Sequence, residues 1–179
     1  GFIVNFRKYS DIRTDPFCAH FGVCGGCKWQ NLPYQLQTEF KQQEVIDNLE
    51  RIGKVELCDI APIIGSPKTT YYRNKLEFTF CNKRFLTREE IAEGNDLNRT
   101  PAVGFHVPGL FDKVIDINKC YLQAEPSNAI RNFIREYALA RGLNFYDIRE
   151  QAGFLRTLII RTSSTGEVMV IVTFGREDR

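Results

Sequence analysis

Three of the six cysteines lie close together near the start of the sequence, with the spacing C-x5-C-x2-C at Cys18, Cys24 and Cys27. Three thiolates on one short loop can bind a single metal centre, and a fourth ligand must then come from elsewhere in the chain. A structural zinc site usually combines two short pairs of ligands, and the sequence has no second pair. Three local ligands with one distant ligand are more similar to iron–sulfur spacing. The cysteine pattern therefore predicts an iron–sulfur site.

Gly25 and Gly26 separate the last two of these cysteines. Without side chains they let the backbone turn tightly and do not crowd a bound centre. Their N–H groups can then approach sulfur and stabilise its negative charge through hydrogen bonds. Radical-type enzymes use C-x3-C-x2-C and leave one iron open, so the five-residue gap and a candidate fourth ligand favour a closed, redox-quiet cluster instead.

The fourth ligand is less certain from spacing, because Cys58, Cys81 and Cys120 all compete for it. Cys58 follows a predicted helix and Cys81 ends a predicted strand, where a lone cysteine is often a small buried apolar residue. Cys120 lies in a turn between a strand and a helix, from which a ligand can point outward. His20 is a substitute ligand, but its place beside Cys18 is also typical of an ordinary loop histidine. Spacing alone leaves these alternatives open.

The composition is that of an ordinary globular protein, with 43% hydrophobic and 26% charged residues among 179. No stretch approaches the ~18 consecutive apolar residues that cross a bilayer, and the N-terminus lacks a signal-peptide pattern. We therefore expect a cytoplasmic protein without a membrane partner. In a reducing compartment, closely spaced cysteines are interpreted first as metal ligands, not as disulfides.

The charge balance excludes a strongly basic chain, because 24 basic and 22 acidic residues give a net charge of +2. Any nucleic-acid surface must therefore be local. The only methionine is Met169, and the chain opens with Gly1 in a strand-like run, Phe2–Phe6. We therefore expect a processed or excised piece of a longer protein.

Apolar periodicity predicts two main helices. The first runs from Pro33 to Ile52 and ends at Gly53, with apolar residues on two opposite sides. The second starts near Pro126 and stops at Gly142. Its apolar stripe, which needs a sheet to cover, consists of Ile130, Phe133, Ile134 and Tyr137.

Alternating or apolar runs predict five strands beyond the first helix. The last run is apolar at both parities, as expected of a strand with both faces covered. The loop 163–166 joins the last two as a hairpin. We predict an α+β fold with a mostly antiparallel sheet, two main helices and an N-terminal cysteine-rich loop. The predicted strands are Tyr72–Phe80, Ala102–Val107, Lys113–Ile117, Leu155–Arg161 and Val168–Phe174.

Two parts are expected along the chain. Residues 1–60 form the cluster loop with the following helix, and residues 61–179 form an α+β central domain. Because Cys120 would close the metal site across this boundary, one compact unit is the alternative. Residues 86–100 are charged and turn-prone, and we expect an exposed excursion to which no function is assigned.

The segment Cys18–Gln30, CAHFGVCGGCKWQ, resembles the cluster loop of the RNA uracil-5-methyltransferases that modify ribosomal and transfer RNA. Further segments resemble this family in the same order along the chain, and the cysteine motif is the most specific of them. The excursion at 86–100 is longer than expected for the better-known members, which leaves the target uridine open. The further segments are Tyr72–Phe78, Gly104–His106, Val114–Cys120, Leu155–Arg161 and Thr165–Val170.

The resemblance implies that Cys120 is the fourth ligand and that the centre is a [4Fe-4S] cluster, although similar spacing also holds [2Fe-2S] clusters. It implies a mechanism in which a cysteine thiolate adds to C6 of uracil and C5 takes a methyl group from S-adenosylmethionine. A base then removes the C5 proton. We expect those parts beyond residue 179, because this chain has no Gly-rich strand-to-helix loop. No catalytic or S-adenosylmethionine-binding residue is therefore assigned, and the segment alone is expected to be inactive.

A local basic stretch between Pro67 and Arg88 carries six basic residues and one acidic residue, with aromatic residues among them. Cations can neutralise phosphates and exposed aromatics can stack on unpaired bases, which suits a single-stranded RNA loop, here expected to be ribosomal. The alternative is that the aromatics are core residues and the charges an ordinary solvated face. Trp29 could instead shield the cluster from water. The candidate RNA contacts are Lys28, Trp29, Arg73, Lys75, Lys83 and Arg84.

Two other functions compete with an RNA-recognising segment of a 23S ribosomal RNA methyltransferase. One is a zinc-bound module that binds RNA or protein without catalysis, and the other is a small electron-transfer protein. Metal analysis separates the first two, whereas a reversible redox couple would favour the third. The oligomeric state is not predicted.

Overall fold

The computed structural model describes residues 3–94 and 100–175 and divides them into two units. One unit contains the chain up to Ala19 together with Lys28–Thr69, and the other contains His20–Cys27 and the chain from Thr70 onward. The second unit holds the whole sheet. Among the described residues, no helix combines the length and apolar character needed to cross a bilayer.

Within residues 3–94 and 100–175 the sheet has five strands, in the order β3-β2-β1-β4-β5, and every neighbouring pair is antiparallel. Together with the helices, this confirms the predicted α+β class. The strands are β1 (Lys75–Cys81), β2 (Ala102–His106), β3 (Val114–Asp116), β4 (Leu155–Thr162) and β5 (Val168–Phe174).

The core lies on one face of the sheet and follows the alternation of β1. Leu76, Phe78 and Phe80 are buried, whereas Lys75 and Glu77 between them are exposed. Strand β4 adds to the same core through residues that pair with β1, since Phe78 faces Leu158 in the register. The period of two in the sequence therefore predicted this face correctly.

Helix α3 (Ser127–Ala140) packs on this core, but not with all of the predicted stripe. Ile130 and Ile134 contact the core and Ala138 is buried. Phe133 and Tyr137 are 68% and 48% exposed, so their assignment to the buried face was wrong. The buried side is instead shifted around the helix toward Arg131, which periodicity of apolar residues could not indicate.

Strand β5 also differs from its prediction, because most of its side chains are exposed although the sequence suggested two covered faces. Among the described strands it lies at the edge of the sheet, where its one partner is β4. Val172 packs against the core, whereas Met169 and Ile171 are 57% and 40% exposed. The apolar sequence of β5 therefore does not mean that other described residues cover both of its faces.

The unit that contains the first helix has little core of its own. Helix α1 (Tyr34–Asp47) continues as a π-helical turn, Asn48–Ile52, and stops before Gly53 as predicted. Thr38 is the buried residue of α1, in keeping with the divided apolar pattern of the sequence. Residues 3–6 form no strand, which corrects that prediction for the described part of Phe2–Phe6.

The charged excursion begins with a short helix, α2 (Arg88–Ala92), which the sequence did not predict. A capping box explains its start, since the Thr87 hydroxyl accepts from the Glu90 N–H and the Glu90 carboxylate accepts from the Thr87 N–H. The rest of the expected excursion, at 95–99, lies outside the described residues.

Candidate metal centre and nucleic-acid surface

The second half of the cysteine loop belongs to the same unit as the sheet. Cys24 and Cys27 are half-buried and pack against the hydrophobic core cluster that includes Cys120. Cys120 itself is only 8% exposed. Cys24 and Cys27 therefore pack on the same core as Cys120, which is far from them in sequence.

The two glycines of the loop fix its approach to strand β2. The Gly25 N–H donates to the backbone oxygen of His106 at 3.0 Å, and a Cβ on Gly25 would lie 2.5 Å from that oxygen. The Gly26 N–H donates to Cys24 Sγ at 3.3 Å. The close approach excludes a side chain at Gly25, and Gly26 supplies the kind of N–H that stabilises a thiolate.

Helix α3 holds the backbone of Cys120 through one side chain. The Cys120 N–H donates to Asn128 Oδ1 at 2.7 Å, and Asn128 Nδ2 donates to the Cys120 carbonyl at 3.1 Å. Both partners are buried. The position of the predicted fourth ligand is therefore set by the first turn of α3.

Arg131 is a buried cation beside this turn, with no exposed surface. Its guanidinium donates to the carbonyls of Ile117 and Asn118 at 3.0 and 2.6 Å and to Asn128 Oδ1 at 2.9 Å. Within the described part of the chain, no carboxylate oxygen lies within 4.0 Å of it. Burial lowers the pKa of Arg131, and electrostatic interactions with Cys120, Asp116 and Glu125 oppose this shift. The Arg131 cation, which shares the Asn128 Oδ1 acceptor with the Cys120 N–H, is a charge that favours a thiolate at Cys120.

His20 connects the loop to the same turn, which agrees with the interpretation of an ordinary loop histidine. Its Nε2 accepts from the Asn118 N–H at 3.3 Å, and its carbonyl accepts from the Cys24 N–H at 2.9 Å. Burial is the main cause that lowers the pKa of His20, followed by the charge of Arg131. A neutral imidazole at this position keeps the acceptor that the Asn118 N–H needs.

The remaining cysteines lie elsewhere. Cys18 belongs to the unit of α1, where its N–H donates to Gln30 Oε1 at 3.3 Å. Cys58 is exposed, and Cys81 is buried in a small separate cluster with Ala102 and Val114. In residues 3–94 and 100–175, no group of three or more His, Cys, Asp or Glu side chains is arranged to hold a metal ion. The structure brings three predicted ligands to one core without forming a complete ligand set.

The predicted nucleic-acid residues fall into different environments. Three of the cations have acidic partners: Lys75 with Glu77 at 3.6 Å, Lys83 with Asp147 at 3.8 Å, and Arg84 with Glu90 at 2.6 Å. Arg73 instead lies over the ring of Tyr72, 6.0 Å from its centroid. The basic stretch is therefore partly neutralised by its own neighbours.

The aromatic residues of this stretch also divide. Phe78 and Phe80 are 0% and 1% exposed and belong to the core, as the alternative interpretation expected. Tyr71 and Tyr72 are 38% and 53% exposed and are available for contacts.

In the unit of α1, Lys28 is exposed and Trp29 is 38% exposed. The Lys41 ammonium lies 5.7 Å from the Trp29 ring centroid. The Trp29 carbonyl accepts from Gln37 Nε2 at 3.0 Å. Trp29 therefore contacts helix α1 through both its ring and its carbonyl.

Sequence reasoning missed Arg131, Lys119 and Tyr121. An arginine on the polar-looking side of an amphipathic helix gives no sign that it is buried, so Arg131 could not be found from periodicity. Lys119 and Tyr121 flank Cys120, and a search for cations and aromatics beside the predicted ligands would have found them.

Comparisons with known proteins identify relatives along nearly the whole chain. A protein of Bacteroides thetaiotaomicron described as an uncharacterized RNA methyltransferase is 59% identical over 94% of this chain and 37% of its own length. A Porphyromonas gingivalis protein with the same description is 54% identical over 99% of this chain and 39% of its own. The chain thus spans less than two fifths of these relatives. No family model matches it.

A solved structure has the same fold. It is the Pyrococcus abyssi tRNA (uracil-54, C5)-methyltransferase in complex with S-adenosyl-L-homocysteine, with a TM-score of 0.63 and 24% sequence identity. The match covers 96% of this chain and 34% of that one. At this identity the likeness concerns the fold, and it extends over both units of the chain.

Proposed function

Because the chain is homologous to a segment of the RNA methyltransferase family, we propose that it is the cluster-bearing, RNA-recognising part of an RNA (uracil-5-)-methyltransferase that uses S-adenosylmethionine. The choice of uracil C5 follows the motif resemblance of Cys18–Gln30 and the other segments. A fold shared with an enzyme that methylates C5 of a tRNA uridine supports it. We propose a site in 23S ribosomal RNA as the target, with tRNA as the alternative.

The observation that carries the metal proposal is the meeting of Cys24, Cys27 and Cys120 at one core. The donor set fits an anionic iron–sulfur centre, since the Gly26 N–H reaches Cys24 Sγ and the Arg131 cation lies beside Cys120. Cys18 is added as the fourth ligand from the motif spacing alone. A [4Fe-4S] cluster, when bound, would cross-link the cysteine loop to the turn before α3. This role is structural.

Methyl transfer is proposed to take place in a part of the protein outside these 179 residues. The sequence lacks a Gly-rich loop for S-adenosylmethionine, and the relatives are more than twice as long as the segment they share. Within the chain, residues around the cysteine loop and β1 are proposed to bind RNA. A cytoplasmic location remains a proposal from the sequence.

The first test is the metal content of protein prepared without oxygen. We expect iron and acid-labile sulfide in the ratio of a [4Fe-4S] cluster, both lost in Cys24→Ser. Cys58→Ser is the matched control, because Cys58 is exposed and outside the motif. Stoichiometric zinc that is retained in Cys24→Ser would support the non-catalytic zinc module and contradict the cluster.

The second test is methyl transfer. Full-length protein incubated with labelled S-adenosylmethionine should methylate either ribosomal or transfer RNA at uracil C5, whereas the 179-residue chain alone should be inactive. Activity of the isolated chain would contradict the proposed division of roles.

A further inference from the structure

Two loops that are distant in sequence are joined beside Cys120. The Tyr71 N–H donates to the Tyr121 carbonyl at 2.7 Å, and the Arg73 N–H donates to the Leu122 carbonyl at 2.8 Å. The rings of Tyr71 and Tyr121 consequently lie 6.0 Å apart between centroids, tilted by 42°. The segment that enters β1 and the segment that enters α3 therefore present one aromatic surface.

Positive charge surrounds this aromatic surface. The Lys119 ammonium lies 5.0 Å from the centroid of the Tyr121 ring, and Lys119 is exposed. Neither Lys119 nor Arg73 has a carboxylate oxygen within 4.0 Å among the residues that the structure describes, unlike Lys83 with Asp147. The positive charges of Lys119 and Arg73 are therefore available to bind an external anion.

The backbone at this surface is strained. Tyr71 has φ = 56°, in the left-handed region that non-glycine residues seldom adopt. Such a conformation persists when neighbouring contacts hold it, as the hydrogen bond to the Tyr121 carbonyl does here, and it is concentrated at binding sites. The tyrosine is 38% exposed, so the strain is not explained by burial in a core.

We propose that Tyr71, Tyr121 and Lys119, the tyrosine–lysine patch, bind an unpaired nucleotide of single-stranded RNA. The base stacks on the tyrosine rings, and the adjoining phosphates contact Lys119 and Arg73. Stacking requires a base outside a duplex, which distinguishes this site from one that recognises helical RNA by shape. This proposal adds a binding site to the proposed function and rests on RNA being the substrate. It places the RNA contacts at the patch and not at Lys83 and Arg84.

The test uses full-length protein with its metal, and fluorescence anisotropy with a labelled single-stranded oligoribonucleotide and a duplex of the same sequence. Tyr121→Leu is expected to weaken single-strand binding about 5- to 150-fold, the range for loss of one stacked base. Tyr137→Leu is the control, because Tyr137 lies outside the patch and is likewise a tyrosine with a cation near its ring, Arg141 at 5.3 Å. It should bind like the wild type.

A salt series tests the charge. The slope of log K against log salt is negative, and Lys119→Gln should make it shallower by about 0.7, the value for one phosphate contact on a single strand. Lys83→Gln removes a charge that is already paired with Asp147 and should leave the slope unchanged. Unchanged metal content and thermal unfolding in each variant show that the fold is intact.

The outcomes separate the two proposals. Wild-type protein that binds no RNA at low salt would contradict the proposed function as a whole. RNA binding that survives both Tyr121→Leu and Lys119→Gln would overturn the patch while leaving the function in place. Equal weakening for single strand and duplex would also overturn it, because a stacking site must prefer unpaired bases.

Discussion

Arg131 is a charged side chain whose hydrogen bonds within the described residues all go to uncharged acceptors, in a fully buried position. Removing it leaves the carbonyl of the buried Ile117 without its Arg131 donor, which costs about 1 to 3 kcal/mol, whereas the Asn118 carbonyl keeps its hydrogen bond from Asn132 Nδ2 at 3.1 Å. It also removes the positive charge beside Cys120. The residue therefore links the stability of the α3 turn to the chemistry of the proposed site.

We predict that Arg131→Met lowers the free energy of unfolding by about 1 to 3 kcal/mol and reduces iron retention, whereas Arg131→Lys restores part of both. Urea unfolding and iron analysis measure the two effects. The control is Arg135→Met on the same helix, because Arg135 pairs with Asp116 at 2.7 Å and is partly exposed. It should cost less than Arg131→Met. An equal loss in both variants would contradict a special role for the buried cation.

Asp147 makes a contribution to the free energy of unfolding that depends on pH. Its carboxylate accepts from Asn82 Nδ2 at 2.8 Å and from the Arg149 N–H at 2.9 Å. The hydrogen bond from Asn82 is the main cause that lowers the pKa of Asp147 below the usual value of 3.8. Because the folded carboxyl is the stronger acid, its stabilising effect is complete above 3.8 and is lost as pH falls through the lower folded pKa.

Asn82→Ala should therefore reduce the free energy of unfolding by about 1 to 2 kcal/mol at neutral pH. The difference from wild type should shrink as the pH falls below 3.8. Urea midpoints measured at several pH values test this. A difference that stays constant into the acid range would show that the Asn82 side chain acts through packing and not through the Asp147 charge.

At the scale of elements, the cysteine loop depends on how closely it approaches β2. A methyl group at Gly25 meets the His106 carbonyl at 2.5 Å, so the loop must move. At Gly26 the nearest atoms are Cys24 Sγ at 3.4 Å and the Phe105 ring at 3.5 Å, which is ordinary contact. Although the two glycines are adjacent, a methyl group fits at Gly26 and does not fit at Gly25.

Gly25→Ala should consequently destabilise the protein even without metal, by about 1 to 3 kcal/mol, and lower iron uptake. Gly26→Ala should leave the metal-free protein nearly unchanged and is the neighbouring control. Thermal unfolding of metal-free protein compares them. Similar unfolding of both variants would show that the Gly25 approach does not hold the loop.

Much of this fold could be predicted from the sequence, because local patterns decide it. The alternation Leu76, Phe78, Phe80 located β1 and its buried face correctly, and the ends of α1 and α3 lay close to their predicted residues. Tertiary neighbours decided the rest. The exposure of Phe133 and the burial of Arg131 depend on what packs against α3, which periodicity does not contain.

The candidate site shows the same division. Spacing selected Cys24 and Cys27, and only the resemblance favoured Cys120 over Cys81. The structure gives a physical reason for that choice within the described residues, since Cys120 shares the core of the loop and Cys81 lies in a separate cluster. The support from Asn128 and Arg131 comes from a helix with no sequence motif of its own.

At the scale of the whole molecule, β5 is the least covered part of the sheet. Its exposed apolar side chains, between 38% and 57% exposed, are Val168, Met169, Val170 and Ile171, and among the described strands only β4 pairs with it. Edge strands with apolar side chains offer unpaired backbone groups to a second chain.

We therefore predict that the isolated 179-residue chain self-associates at high concentration and that Met169→Glu with Ile171→Glu shifts it toward monomer, because adjacent negative charges oppose edge-to-edge pairing. Sedimentation velocity over a concentration series measures the effect. Two glutamates at Ser164 and Thr165 add the same charge to the turn between β4 and β5 without touching the apolar edge, and they should leave association unchanged. If both pairs of substitutions dissociate the chain equally, net charge is responsible and not the exposed strand.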